Sequence, residues 1–187
     1  MLAKFKFSAR ADLIKILSLI VPHRILPYNI HMARFTSSGL ILKEDKILLN
    51  HRINHGKEYF SFPGGGQEAG ETLEQTALRE IKEETSISAN IGKLVYHIVW
   101  DNGIENYYYV CDYLEGEPKI AETSEEFEAM KSGVQHFGPA WVPVANLPET
   151  LLYPLEIKDL LIKDLEEGFK DEVIKLSLKF SDRREKM

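Results

Sequence analysis

The chain has 187 residues, 44% of them hydrophobic and 28% charged, with a formal net charge of -6 and one cysteine. That is ordinary for a soluble globular protein and enough for one domain with a sizeable core. The acidic balance excludes a general nucleic-acid or anionic-membrane surface, and the lone Cys111 excludes an intrachain disulfide and fits a reducing, cytoplasmic setting. Phosphate substrates stay open, because bound divalent cations invert the local sign of an acidic site.

In chain order, Lys4, Lys6 and Arg10 precede an apolar run from Leu13 to Val21, broken by Lys15 and followed by Pro22-His23-Arg24. The run is far shorter than a membrane span and has no small-residue cleavage site. It predicts a short amphipathic helix within residues 1–26, packed on the domain or on a second copy of the chain, with no stable membrane insertion. From His31 the pattern becomes that of strands. HMARFTSSGLIL and KILLNHR flank the polar turn Lys43-Glu44-Asp45. INHGK is a loop that could line a cleft, and EYFSF leads into three glycines. His51 and His55 read as ordinary polar residues.

The stretch Pro63–Ile87, PGGGQEAGETLEQTALREIKEETSI, is the centre of the chain. Glycines let backbone approach a ligand closely and leave its N–H and C=O groups available. A helical pattern follows, with Leu73, Ala77, Leu78 and Ile81 as its apolar sector. Glu80, Glu83 and Glu84 lie about a quarter turn away. Residues three and four apart are helix neighbours, and like charges at that spacing cost a few tenths (~0.2–0.5) of a kcal/mol per pair. A hard divalent cation, which prefers oxygen ligands, would offset that repulsion; a solvated acidic face is the plainer reading.

Beyond this stretch, ISANIGKLVYHIVW and NYYYVCDYL flank the hairpin signal Asp101-Asn102-Gly103. Strand alternation puts at least one of Tyr107, Tyr108 and Tyr109 in the core; a ring for base stacking is the alternative role. Cys111 reads as a core residue. EGEPKIAETSEEFEAMKSG, residues 114–132, reads as an acidic loop with a short helix, and HFGPAWVPVANLP as a strand and turn. A helix is expected to open at Leu151-Leu152-Tyr153-Pro154 and to stop at Gly168. EVIKLSLKF is expected to add one edge strand before a disordered, charged end.

These residues resemble the Nudix box, G-x5-E-x7-R-E-U-x-E-E-x-G-U with U aliphatic. Gly65, Glu71, Arg79, Glu80, Ile81, Glu83, Glu84 and Ile87 fall in register, and Ser86 alone departs, standing where the pattern has glycine. A glycine just past a helix end usually adopts the left-handed conformation, so either Ser86 carries a small local cost or the helix ends differently, and the acids are untouched. Flanking features extend the resemblance to roughly residues 31–165. It implies an α/β fold, the Nudix α/β/α sandwich with a mixed sheet, in three parts: 1–26 an N-terminal helical extension, 27–170 the Nudix domain, and 171–187 an edge segment with a charged tail.

The resemblance also implies chemistry. Glu80, Glu83 and Glu84, helped by the Gly64 carbonyl, bind Mg2+, with Mn2+ as a second fit. Arg79 orients the acids by pairing with Glu71. Arg52, Gly65 and Gly66 meet the substrate. The general base is Glu80 or a loop glutamate, Glu125 or Glu126, with Glu126 named as catalytic. The reaction implied is metal-dependent hydrolysis of a diphosphate linkage in a nucleoside diphosphate-X compound, first an ordinary or oxidised nucleoside triphosphate. ADP-ribose or a nucleotide sugar is the alternative, and a non-catalytic nucleotide- or partner-binding domain is the reading of another class. The expected partners are a small nucleotide and a second copy of the chain in a homodimer, with no nucleic-acid polymer.

Overall fold

The computed structural model describes residues 35–54, 56–120 and 135–180. The expected N-terminal helix, His55, Glu125, Glu126 and the charged end lie outside the described residues. Strands β1 (Phe35–Lys43) and β2 (Lys46–Asn54) form the first hairpin, joined at Lys43↔Lys46. Glu44 at its tip has φ +56°, the left-handed conformation that tight hairpin turns use. Then follow β3 (Lys57–Ser61), β4 (Gly64–Gly66), α1 (Leu73–Thr85), β5 (Ser88–Trp100), β6 (Glu105–Glu115) and β7 (Gln135–Pro143). A 3-10 turn (Val144–Glu149), β8 (Leu152–Tyr153), α2 (Leu155–Glu167) and β9 (Ile174–Leu178) complete the described chain.

The nine strands make one mixed sheet. Its path runs β8-β3-β2-β1-β6-β5-β9, with β4 added to β1 and β7 to β2. The pairs β1–β6, β3–β8 and β5–β9 are parallel, and the remaining pairs are antiparallel. Strand alternation sorts neighbouring residues onto opposite faces. Leu40, Ile47, Leu49, Tyr96, Ile98 and Tyr108 pack under α2 with Ile157 and Leu161. Ile41, Leu48, Tyr109 and Cys111 pack under α1 with Ala77, Ile81 and Ile87. A helix on each face of a mixed sheet is the α/β/α arrangement that the alternation of strands and helices implies.

Helix α1 starts where a capping box permits. Thr72 Oγ1 accepts from Gln75 N at 3.2 Å, and Gln75 Oε1 accepts from Thr72 N at 2.8 Å. It ends at Ser86, which is left-handed (φ +61°, ψ +6°) and donates its N–H to Lys82 O at 3.0 Å.

Local readings change in four places. The glycines are a strand rather than a free loop, pairing as Thr36↔Gly66, Ser37↔Gly65 and Ser38↔Gly64. They can do so because Gly64 and Gly65 have no Cβ. One on Gly64 would strike Ser38 Oγ and the Ser37 carbonyl, and one on Gly65 would strike the Glu80 carboxylate. Most of INHGK is taken into β2 and β3. Leu152 and Tyr153 pair with Phe60 and Ser61 instead of opening the helix, which begins after Pro154. Leu78 is half-buried, while Glu84 on the same helix is buried. The buried residues of α1 are therefore Thr76, Ala77, Ile81, Glu84 and Thr85.

Candidate active site

The site lies where α1 crosses β4 and the adjoining end of β2. Arg79 is its hub. Its Nε donates to Glu71 Oε1 at 2.7 Å and its Nη2 to Glu71 Oε2 at 3.0 Å, a two-point grip on one carboxylate. Nη1 reaches Glu80 Oε1 at 2.9 Å and Glu83 Oε2 at 3.1 Å, and Nη2 also donates to the Gly66 carbonyl at 2.9 Å. One guanidinium thus fixes the glycine strand, the loop before α1 and two acids on α1. The Arg79 hydrogen bonds, helped by the Glu68 N–H and Thr76, hold the Glu71 carboxyl down at about 2. The same carboxylates, Glu71 first, push the Arg79 pKa up.

Glu84 points the other way, into the sheet, with 5% of its side chain exposed. Oε2 accepts from Asn50 Nδ2 and from Gly64 N, both at 2.8 Å. Oε1 accepts from Arg52 Nη2 at 3.2 Å, and Arg52 Nε donates to Ser61 Oγ at 3.2 Å. Leu48, Asn50 and Arg52 share one face of β2 by alternation, so the strand delivers two polar groups to the helix beside its apolar one.

The three acids of the E-x-x-E-E run thus have different partners. Glu80 is mostly buried against Gly65, Glu83 is 56% exposed, and Glu84 sits behind them between β2 and β4. Gly64 meets Glu84 through its N–H. Of the aromatic run, Tyr108 and Tyr109 are buried on opposite faces. The half-buried Tyr107 stacks on His97 at 4.3 Å and donates to Glu105 at 2.8 Å. Asn50 escaped the sequence reading, although a polar residue inside KILLNHR at the spacing of Leu48 was the available signal.

The donor chemistry suits a hard divalent cation. In this network four carboxylates, those of Glu71, Glu80, Glu83 and Glu84, share the two guanidinium groups of Arg79 and Arg52, a surplus of negative charge carried on oxygen. Among the described residues no three His, Cys, Asp or Glu side chains already converge as a cage, since Glu80 and Glu83 serve Arg79 in this arrangement. Among the same residues no helix is long and apolar enough to cross a membrane.

Comparison with known proteins agrees with this arrangement. The family model described as NUDIX domain matches residues 33–161. A putative mutator protein MutT4 of Mycobacterium tuberculosis is 34% identical over 64% of this chain and 48% of its own length. An ADP-ribose pyrophosphatase of Methanocaldococcus jannaschii is 35% identical over 48% of this chain and 57% of its own. The chain thus spans about half the length of these curated relatives. It matches 88% of the Escherichia coli 8-oxo-dGTP diphosphatase at 33% identity, over 57% of this chain. Among solved structures, a NUDIX hydrolase from Nitrosomonas europaea superposes with TM-score 0.60 at 19% identity, covering 78% of each chain, which speaks for the fold alone. With the box in register across β4 and α1, and the family match spanning most of the chain, this protein belongs to the NUDIX family.

Proposed function

We propose that the protein hydrolyses the diphosphate linkage of a nucleoside diphosphate derivative, and that its substrate class is a nucleoside triphosphate, ordinary or oxidised, cut to monophosphate and pyrophosphate. The observation that carries this reading is the buried Glu84 carboxylate, held by Asn50, Gly64 N and Arg52 behind Glu80 and Glu83. Members of the family generally use divalent metal ions. Here Glu80, Glu83 and Glu84, with the Gly64 carbonyl, would hold Mg2+, or Mn2+ in its place. Such an ion neutralises phosphate charge and activates water.

The remaining work falls to the chain itself. Arg79, gripped by Glu71, orients Glu80 and Glu83. Arg52 offers a planar fork suited to phosphate, presented from β2 by its bonds to Glu84 and Ser61. Gly65 and Gly66 let the substrate approach the backbone. Glu80 or a loop glutamate, Glu125 or Glu126, is the proposed general base.

The nucleoside triphosphate reading draws on the near full-length match to the diphosphatase of E. coli. ADP-ribose is the second reading, drawn from the M. jannaschii relative. The test is kcat/KM with Mg2+ for nucleoside triphosphates, their 8-oxo forms, ADP-ribose and nucleotide sugars, with products separated by chromatography. A preference for a triphosphate, releasing pyrophosphate, supports the first reading. A preference for ADP-ribose, releasing AMP, replaces it with the second. A folded protein that binds nucleotide and hydrolyses none of the panel would be the binding domain.

A further inference from the structure

Asn50 is wholly buried on β2, in line with the apolar Leu48. Its amide is oriented by Glu84: Nδ2 donates to Oε2 at 2.8 Å, and the flipped amide would set oxygen against oxygen. The Asn50 oxygen, Oδ1, then has no hydrogen-bond partner. A buried acceptor without a donor is costly, and the buried residues that precede Asn50 on the same strand, Ile47, Leu48 and Leu49, are all hydrophobic. Leucine would fill the site without that cost, so core packing does not explain the amide. What surrounds it is an acidic network whose carboxylates outnumber its guanidinium groups.

We propose that Asn50 is a positioning residue of the active site: Nδ2 fixes the Glu84 carboxylate, and Oδ1 is an oxygen acceptor for a divalent cation held by that carboxylate, met through one of the cation's waters. One group on the strand then does two things, locking the orientation of a metal-holding acid and adding a neutral oxygen beside it. Partners of this kind, standing behind metal-holding side chains, characteristically tune both metal affinity and turnover. The inference rests on the proposed function for its kinetic readout and on metal binding alone for its other readout.

The experiment uses the full chain with two substitutions, Asn50→Leu and Asn50→Asp. Each is checked for folding by circular dichroism, titrated with Mn2+ alone by electron paramagnetic resonance, and assayed on the best substrate of the panel. Asn50→Leu removes both groups; Mn2+ affinity and kcat are each expected to fall about 10- to 100-fold, with KM for the nucleotide little changed. Asn50→Asp keeps an oxygen but replaces the donor with a charge facing Glu84; kcat is expected to fall while Mn2+ binding persists. A folded Asn50→Leu protein with wild-type Mn2+ binding and turnover overturns the inference. If Asn50→Leu does not fold, Asn50→Asp decides: a kcat equal to wild type overturns the role in holding Glu84. Wild type that binds Mn2+ but hydrolyses nothing, with binding lost in Asn50→Leu, sinks the hydrolase reading and leaves the Asn50 assignment standing. Wild type that binds no Mn2+ ends both.

Discussion

Ser86 occupies the one box position where the family pattern has glycine, and its backbone is left-handed, at φ +61°. Ser86 takes part in this helix end through its main chain: its N–H donates to Lys82 O at 3.0 Å, and its carbonyl accepts from Lys82 Nζ at 3.2 Å. Ser86→Gly preserves both. A residue with a Cβ pays ~1–2 kcal/mol for the left-handed conformation. Glycine loses ~0.5–1 kcal/mol more backbone freedom on folding, which takes back part of that gain. The net expectation is a stabilisation of roughly 0.5–1 kcal/mol, or about 1–4 °C in Tm for a chain of this size. Scanning calorimetry of wild type, Ser86→Gly and Ser86→Ala measures it. Alanine keeps the Cβ and should gain nothing, and turnover should be unchanged in both because no acid moves. A Ser86→Gly protein that melts at or below wild type, or an alanine variant that gains as much, would refute the strain argument.

Two further outcomes follow from the side-chain contacts. Tyr96→Phe deletes the hydroxyl that donates to the buried Asp164 carboxylate at 2.7 Å. Leaving that acceptor short of a donor should cost ~1–3 kcal/mol, read as a lower denaturation midpoint with an unchanged m-value; a midpoint equal to wild type would show that the carboxylate finds water instead. For pH, the Glu71 carboxyl sits at about 2 against an ordinary 4.5, so its folded-state pKa is depressed. The stability it contributes is present above its unfolded-state pKa and is lost as pH falls toward the folded value. Glu71→Gln should therefore melt below wild type at neutral pH. The gap should close as pH falls from about 4.5 toward 2, and a gap constant across that window would contradict the Arg79 grip as its source.

Much of this fold was legible because its signals are periodic. The hairpin turns at Glu44-Asp45 and Asp101-Asn102-Gly103 and the two-residue alternation of Tyr108 and Tyr109 in β6 are local rules, and the structure obeys them. What the chain hid is non-local. Helix position alone places Glu80, Glu83 and Glu84 on one side. It does not say that Asn50, 34 residues away, and Gly64 N draw Glu84 inward while Arg79 takes Glu80 and Glu83. The glycines read as a loop because their composition is that of loops; β1 pairs with them because the missing Cβ atoms clear Ser38 and Glu80. Leu152 and Tyr153 read as helix because they precede one, and their pairing with Phe60 and Ser61 depends on a strand far back in the chain.

The proposed chemistry is metal-dependent cleavage of a diphosphate linkage by the acids of α1. The most direct measurement is product formation from a nucleoside triphosphate with Mg2+, with excess chelator, and with Glu84→Gln, each protein first shown to be folded. Monophosphate and pyrophosphate are expected from wild type, with loss of both in chelator and restoration by added Mg2+. A fall of at least about 100-fold in kcat is expected for Glu84→Gln, the size seen when a group acting in the transition state is removed. Turnover that survives the chelator, or a folded Glu84→Gln protein with wild-type kcat, would contradict it.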